Sequence, residues 1–472
     1  MGLDVQMRER RRLKGGLKAM HESSAPAEPQ DTSYRRIFDI ALPMILAYIS
    51  VPLMGFVDMA VVGHLDDPKY IGGVAIGAVF FSTTYFVFFF LRWSTTGLTA
   101  QLFGAPASEQ RSRSIGETLV RAMGLGLAIS LVVLAVQRPL LSLVLDFMKA
   151  DGGVRQQALA YSGNRVMGAP AVLLAFALTG WFIGATEAKA VLAMTLVSNA
   201  VNAGLAVFFV YALGMKANGS GLAAAVADWS SLGLGLIMFL RRHSEYLRGL
   251  SVRSAADPAK LRSLILSNAQ IAVKLVSTIA VMYGLMVESA RFGPLVLAAN
   301  ALILQLFYFG SYVLDGFANA CEALTGRAYG GGDIPSLRKT IFRCAVSALA
   351  VGMFFTTVYI LAGPEILGLM SSLPDVLATA NGYLVWGALL PPGMALAVMF
   401  EGVFVGTMRT AALRDCSLFG AFIFFAMLWP AVHLWGNHGL WFAFLSYFLA
   451  RQSLAYTVYI RGISPQRWLK PA

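Results

Sequence analysis

Five carboxylates stand in or beside stretches that are otherwise almost wholly apolar: Asp58, Asp228, Asp315, Glu322 and Glu401. One lysine, Lys274, shares that setting. A charged side chain near hydrocarbon costs at least about 2–3 kcal/mol, so such residues are rare there and functional by default. A carboxyl in a low-dielectric cavity can exchange a proton at physiological pH. Asp58 stands out because it falls in the run Asp39–His64, which also holds Pro43, Pro52 and three methionines. Its bland alternative is a structural carboxylate that hydrogen-bonds a neighbouring helix. Asp315 and Glu322 are seven residues apart, two helical turns, and so face the same way. They could form an ion site or pair with Arg327. Lys274 calls for an acidic partner, Glu401 or Asp315, or an aqueous cavity. Glu401 could equally pair with Arg409 or with another helix. Arg92 and Arg451, within or at the edges of apolar runs, are expected to snorkel.

The elements carrying these residues must be membrane helices. Of 472 residues, 57% are hydrophobic and 13% charged, about half the charged share of a soluble protein. Some twenty apolar residues make one span, and twelve such runs occur: 38–63, 71–92, 116–137, 158–181, 188–212, 219–240, 264–286, 294–318, 340–362, 380–404, 413–434 and 438–460. Helix is the required conformation, since open strands would leave backbone groups unpaired in lipid. The net charge of +12 lies mainly in alternate loops and in the tails, including Arg8, Arg10, Arg11, Arg12, Arg241, Arg242, Arg461 and Arg467. That is the positive-inside pattern. It puts both termini in the cytoplasm and the chain in the inner (plasma) membrane as a multi-pass protein, and it argues against nucleic acid as the partner of the basic segments.

An internal repeat organises the spans. Thr99–Ala105 (TAQLFGA), placed at the turn after the second span, aligns with Thr325–Gly331 (TGRAYGG) after the eighth. Gly180–Ala188 (GWFIGATEA) after the fourth aligns with Gly402–Thr410 (GVFVGTMRT) after the tenth. Two matched pairs in order imply two homologous halves of six spans. With an even number of spans in each, the repeats are parallel and a substrate path lies between them. The expected fold is therefore an all-α polytopic membrane protein, with twelve transmembrane helices in two pseudo-symmetric six-helix bundles. The expected division is a disordered tail 1–33, an N-lobe 34–245, a linker 246–259, a C-lobe 260–465 and a tail 466–472.

Val51–Leu65 (VPLMGFVDMAVVGHL), Phe90–Ala105, Tyr312–Asp333 (YVLDGFANACEALTGRAYGGGD) and Phe400–Arg409 (FEGVFVGTMR) together resemble the MATE transporters, and within them the DinF-like subgroup. The resemblance covers nearly everything beyond residue 34. It implies a two-lobed antiporter that exports organic, often cationic and lipophilic, drugs or toxic metabolites by alternating access. Asp58 matches the first-helix aspartate that binds the proton in proton-coupled members, and Glu401 an acidic position of the tenth helix. Asn199 and Asn202 match the fifth-helix pattern, but the family's acid four residues on is here Ala206, so Asp228 is a candidate substitute. The seventh-helix Asn-Arg-Asp of the subgroup is here Asn268-Ala269-Gln270, which weakens a sodium site, because a hard cation wants several oxygens. Protons are favoured over sodium. The alternatives are a sodium-coupled exporter and a lipid-linked precursor flippase of the wider superfamily; the latter wants a strongly cationic cavity.

Met54, Met59, Met282 and Met286, on the first helices of the two halves, are candidates to line an adaptable apolar chamber. Cys321, Cys344 and Cys416 show no disulfide or metal spacing. No HExxH or Walker pattern occurs. The chain is thus expected to be no enzyme and to need no metal or cofactor beyond an ion gradient. Its expected partners are a small organic molecule and the bilayer, and its expected state is a monomer.

Overall fold

A computed structural model describes residues 30–248, 250 and 257–462. Twelve long helices follow one another: α1 Tyr34–Gly63, α2 Pro68–Gly104, α3 Glu109–Phe147, α4 Gly152–Gly184, α5 Ala188–Ala212, α6 Lys216–Leu247, α7 Pro258–Arg291, α8 Pro294–Gly330, α9 Ile334–Met370, α10 Pro374–Gly406, α11 Thr410–Trp435 and α12 Asn437–Gly462. Many start at a polar cap. The Arg36 amide donates to Ser33 Oγ at 3.2 Å, that of Arg111 to Ser108 Oγ at 3.0 Å, and that of Ser336 to Asp333 Oδ1 at 2.9 Å. Such side chains satisfy amides that the first helical turn leaves unpaired. At Asp67, the cap of α2, hydrogen bonds from Lys69 hold the carboxyl below its usual range.

The helices overrun the apolar stretches. The second, expected over 71–92, continues to Gly104 after a turn at Phe88–Phe89 that separates segments Pro68–Val87 and Phe90–Gly104. Thr99–Ala105 is therefore the last turns of a helix rather than a loop. Smaller irregularities interrupt α4, at the 3₁₀ turn Val166–Gly168, and α5, which ends in a π-turn at Phe208–Ala212.

The helices form two bundles with matching neighbours. In the first, α1 packs on α5, α2 and α3 on α4, and α5 on α6; in the second, α7 packs on α11, α8 and α9 on α10, and α11 on α12. Glycines set the tightest contacts, because helices meet there backbone to backbone. A Cβ on Gly180 or Gly184 would lie 2.3 and 2.7 Å from the carbonyl oxygens of Arg92 and Thr96. One on Gly402 or Gly406 would lie 2.4 and 2.3 Å from those of Ala318 and Glu322, the corresponding residues of the other half. The same device joins the bundles where α2 and α8 end. A Cβ on Gly104 would meet Arg327 O at 1.9 Å, and one on its counterpart Gly330 would meet Gln101 O at 2.0 Å. Ala100 and Gly326, counterparts of each other, touch directly. The molecule is closed at this end.

The expected tail 1–33 lies outside the described residues up to residue 29. Its last residues are held by the second bundle: Gln30 Nε2 donates to Leu324 O at 2.9 Å, and Arg343 Nη1 to Thr32 O at 2.7 Å. The expected linker 246–259 is shortened from both sides, since α6 runs to Leu247 and Asp257 caps α7, the Ala259 amide donating to it at 2.9 Å. Residues 249 and 251–256, and the tail 463–472, lie outside the described residues.

Candidate functional site

Two polar clusters in the apolar interior hold the acids that the sequence singled out. The first lies within the N-terminal bundle. Asp58, in the last two turns of α1, faces Asn202 of α5, whose Nδ2 lies 3.3 Å from each carboxylate oxygen. Asn199, one turn earlier on α5, does not reach Asp58; it donates to Ser50 Oγ at 2.9 Å. Ala206 is fully buried in an apolar cluster with Val61, Val210 and Ala223. Asp228 of α6 is engaged by Arg165 of α4 in a close ion pair, and Arg165 stands over the rings of Tyr85 and Phe81. Among the described residues, Asp58 has no basic group within ion-pair distance. It differs in this from Asp228, Glu322 and Glu401, each of which is paired.

The second cluster spans both bundles. The turn at Phe88–Phe89 sets Arg92 in the first turn of the segment Phe90–Gly104, aimed across at α8. Its Nη1 donates to Asn319 Oδ1 at 2.5 Å, and its Nη2 lies 3.6 Å from Glu322 Oε2. Asn319 Nδ2 in turn donates to Tyr48 OH of α1 at 2.9 Å and to Asp315 O at 2.6 Å. Asp315, Asn319 and Glu322 are spaced four and three residues apart, one stripe of α8.

Beside this stripe Lys274 of α7 donates to Glu401 Oε2 of α10 at 3.0 Å, and its ammonium stands 4.4 Å over the ring of Trp93. Glu401 Oε1 takes a second, close ion pair from Arg451 of α12, whose Nη1 lies 3.3 Å from Tyr447 OH. Arg92, Lys274, Glu322 and Arg451 are all buried. Asp315 is not paired directly but interacts electrostatically with Lys274, Arg92 and Arg451. Three acids therefore sit among three bases.

The sequence singled out the acids and Lys274, and offered Glu401 as one of two acidic partners for that lysine, the one the structure sets beside it. It did not foresee the two arginines, which are buried ion-pair members rather than snorkelling side chains, nor Tyr48, Trp93 and Asn319. Arg327 turns away from Asp315 and Glu322; its Nη2 donates to Ala185 O at 2.6 Å across the closed end. Glu401 finds Arg451 and Lys274 rather than Arg409. Met59 and Met286 are exposed, while Met54 and Met282 are half-buried on the same two helices.

Two six-helix bundles joined at one end, with paired charges between them, define a polytopic transporter of the two-lobed kind. The MatE family profile matches residues 43–208 and 270–429, one stretch in each bundle. The DNA damage-inducible protein F of Escherichia coli K12 is 36% identical over 426 residues, covering 90% of this chain and 91% of that one. The chain therefore belongs to the MatE family, the multidrug and toxic compound extrusion transporters. A more distant relative is the probable multidrug resistance protein NorM of Bacillus subtilis, 22% identical over 79% of this chain and 82% of its own length. Among solved structures, an outward-facing multidrug resistance MATE transporter of the MOP superfamily superposes with a TM-score of 0.80. It is 17% identical and is matched over 92% of this chain and 96% of that one, a likeness of fold.

Proposed function

We propose that the chain exports lipophilic organic cations in exchange for protons, with Asp58 as the group that alternates between them. The observation that carries this reading is that Asp58 has a hydrogen-bond partner but no ion pair among the described residues. A carboxylate already neutralised by arginine, as Asp228 is, has little to offer a proton or a cationic cargo. Asn202 suits both states of Asp58. Its amide N–H donates to the ionised carboxylate, and its buried Oδ1, without a partner among the described residues, can accept from the protonated form after the amide turns over. Protonation then removes the charge that holds the cargo, and binding shifts the balance between the two conformations.

The same reading takes 34–245 and 260–465 as the moving lobes of a monomer, both termini cytoplasmic, in the inner membrane. Asn199 holds α1 to α5 through Ser50, and Asp228 with Arg165 supports the site from behind. Met54, Met59, Met282 and Met286 would offer soft contacts to cargo. The multidrug names of the relatives fit that chemistry. Balanced charges between the lobes speak against the flippase alternative, which must attract a pyrophosphate.

The test is transport of a fluorescent lipophilic cation by proteoliposomes under an imposed pH gradient or, separately, a sodium gradient. Wild type should follow the pH gradient and Asp58→Asn should not. An Asn variant that stays coupled would sink the assignment, and a response to sodium alone would replace the coupling ion.

A further inference from the structure

Helix α3 has 39 residues and is about 58 Å long at 1.5 Å per residue, nearly twice the hydrocarbon thickness. Within it, no charge occurs between Arg121 and Arg138, a distance of about 26 Å. These two arginines bound a charge-free stretch close to one hydrocarbon thickness. Arg121 is committed to Glu117. Arg138 has no ion-pair partner among the described residues.

Arg138 instead borders a cavity of about 450 Å³, lined also by Gln137, Leu159, Ser162, Asn164 and Asn218. Two of these side chains are buried with an oxygen left unpaired among the described residues: Gln137, 8% exposed, through Oε1, and Ser162, 1% exposed, through Oγ. Buried polar atoms without partners are uncommon and call for one. Asn164 is held in place by its own bond to Asn218 O at 3.1 Å. The pocket thus offers a guanidinium, a hydroxyl that can donate, and amide oxygens that can only accept. A phosphodiester matches the first two, and a headgroup carrying N–H or O–H matches the third.

The surface leading away from the pocket is apolar. Leu127, Leu131, Leu134 and Arg138 follow one another at intervals of four, three and four residues, so they lie along one face of α3. The three leucines are 46%, 60% and 36% exposed. From Leu127 to Arg138 the stripe measures about 16 Å, close to half of a roughly 30 Å hydrocarbon core. It is the length of an acyl chain in one leaflet, ending at the height of a headgroup.

We infer that this site binds a single glycerophospholipid with a hydrogen-bond-donating headgroup, ethanolamine or glycerol, its phosphate on Arg138 and one acyl chain along Leu134, Leu131 and Leu127. The lipid braces the junction of α3, α4 and α6. Tyr161, next to Ser162, meets Gly221 of α6 so closely that a Cβ there would lie 2.3 Å from its carbonyl oxygen. Arg165, one turn from Ser162, holds Asp228.

Native mass spectrometry of the full chain in detergent tests this, with phosphatidylethanolamine, phosphatidylglycerol, phosphatidylcholine and inorganic phosphate titrated separately. The first bound phosphatidylethanolamine or phosphatidylglycerol should be tighter than phosphatidylcholine. Arg138→Gln should weaken both by roughly tenfold, with Arg138→Lys restoring part of the loss. Gln137→Leu should erase the preference over phosphatidylcholine. If Arg138→Gln fails to fold, Leu131→Asn on the exposed stripe should show the same weakening. Unchanged affinity in these variants, equal binding of phosphatidylcholine by wild type, or displacement of the lipid by millimolar inorganic phosphate would each overturn the proposal.

Discussion

Glu401 carries two cations on one carboxylate, and that asymmetry can be measured. Glu401→Gln leaves Lys274 and Arg451 buried and facing each other, which should cost about 3–5 kcal/mol. Lys274→Met leaves the Arg451–Glu401 pair intact and should cost clearly less. Melting of the two variants in detergent decides it, and an equal or larger loss in Lys274→Met would contradict the shared-carboxylate arrangement. The sequence made Asp58 and Glu401 visible because charge in apolar runs has few other uses, and Asn202 only through the resemblance of its helix to the family pattern. It hid the arginines for identifiable reasons. Arg92 stood at the edge of the expected span 71–92, but the helix continues to Gly104 and the side chain falls well inside. Arg451 finds its acid on α10, fifty residues earlier, where no spacing rule reaches.

At the level of elements, the close approach of α2 and α8 rests on residues with no side chain to move. Gly330→Val would press a branched side chain against the Gln101 carbonyl, 2.0 Å from the added Cβ. Neither backbone can yield, so the ends of the helices must part. Spin labels at Glu109→Cys and Lys339→Cys, both exposed on this end, should report a longer mean distance. Transport should fall by roughly tenfold or more, because a closed state that cannot form halts the cycle. An unchanged distance would mean that the seal does not depend on this contact. The repeat that revealed the two halves is made of these same glycines. What the sequence could not supply was that the matched segments pack against each other, because alignment gives equivalence without giving proximity.

On the scale of the whole molecule, the bundles are tied at the middle by Arg92 with Asn319 and Glu322. Lobes that rock apart must break or carry along a buried ion pair. Arg92→Met or Glu322→Met alone strands the partner's charge and should destabilise by about 3–5 kcal/mol, whereas the double variant should recover most of that loss. A double variant as unstable as the sum of the singles would show that the two do not act as a pair. The twelve spans and their two-fold grouping were legible from hydropathy and the repeat. The cross-lobe tie was not, since it depends on the turn at Phe88–Phe89 that aims Arg92 at the opposite bundle.

Ala100 and Gly326 touch although each is the other's counterpart, so the pseudo-twofold axis passes between them. A methyl group on Gly326 would come within 2.6 Å of the one on Ala100. Two identical half-length subunits could meet at this separation with glycine at that position, but not with alanine. A pair of unlike residues escapes that limit, and a chain whose two halves differ in sequence can supply it. The axis thus runs through a place where exact symmetry forbids a side chain and two halves of unlike sequence permit one.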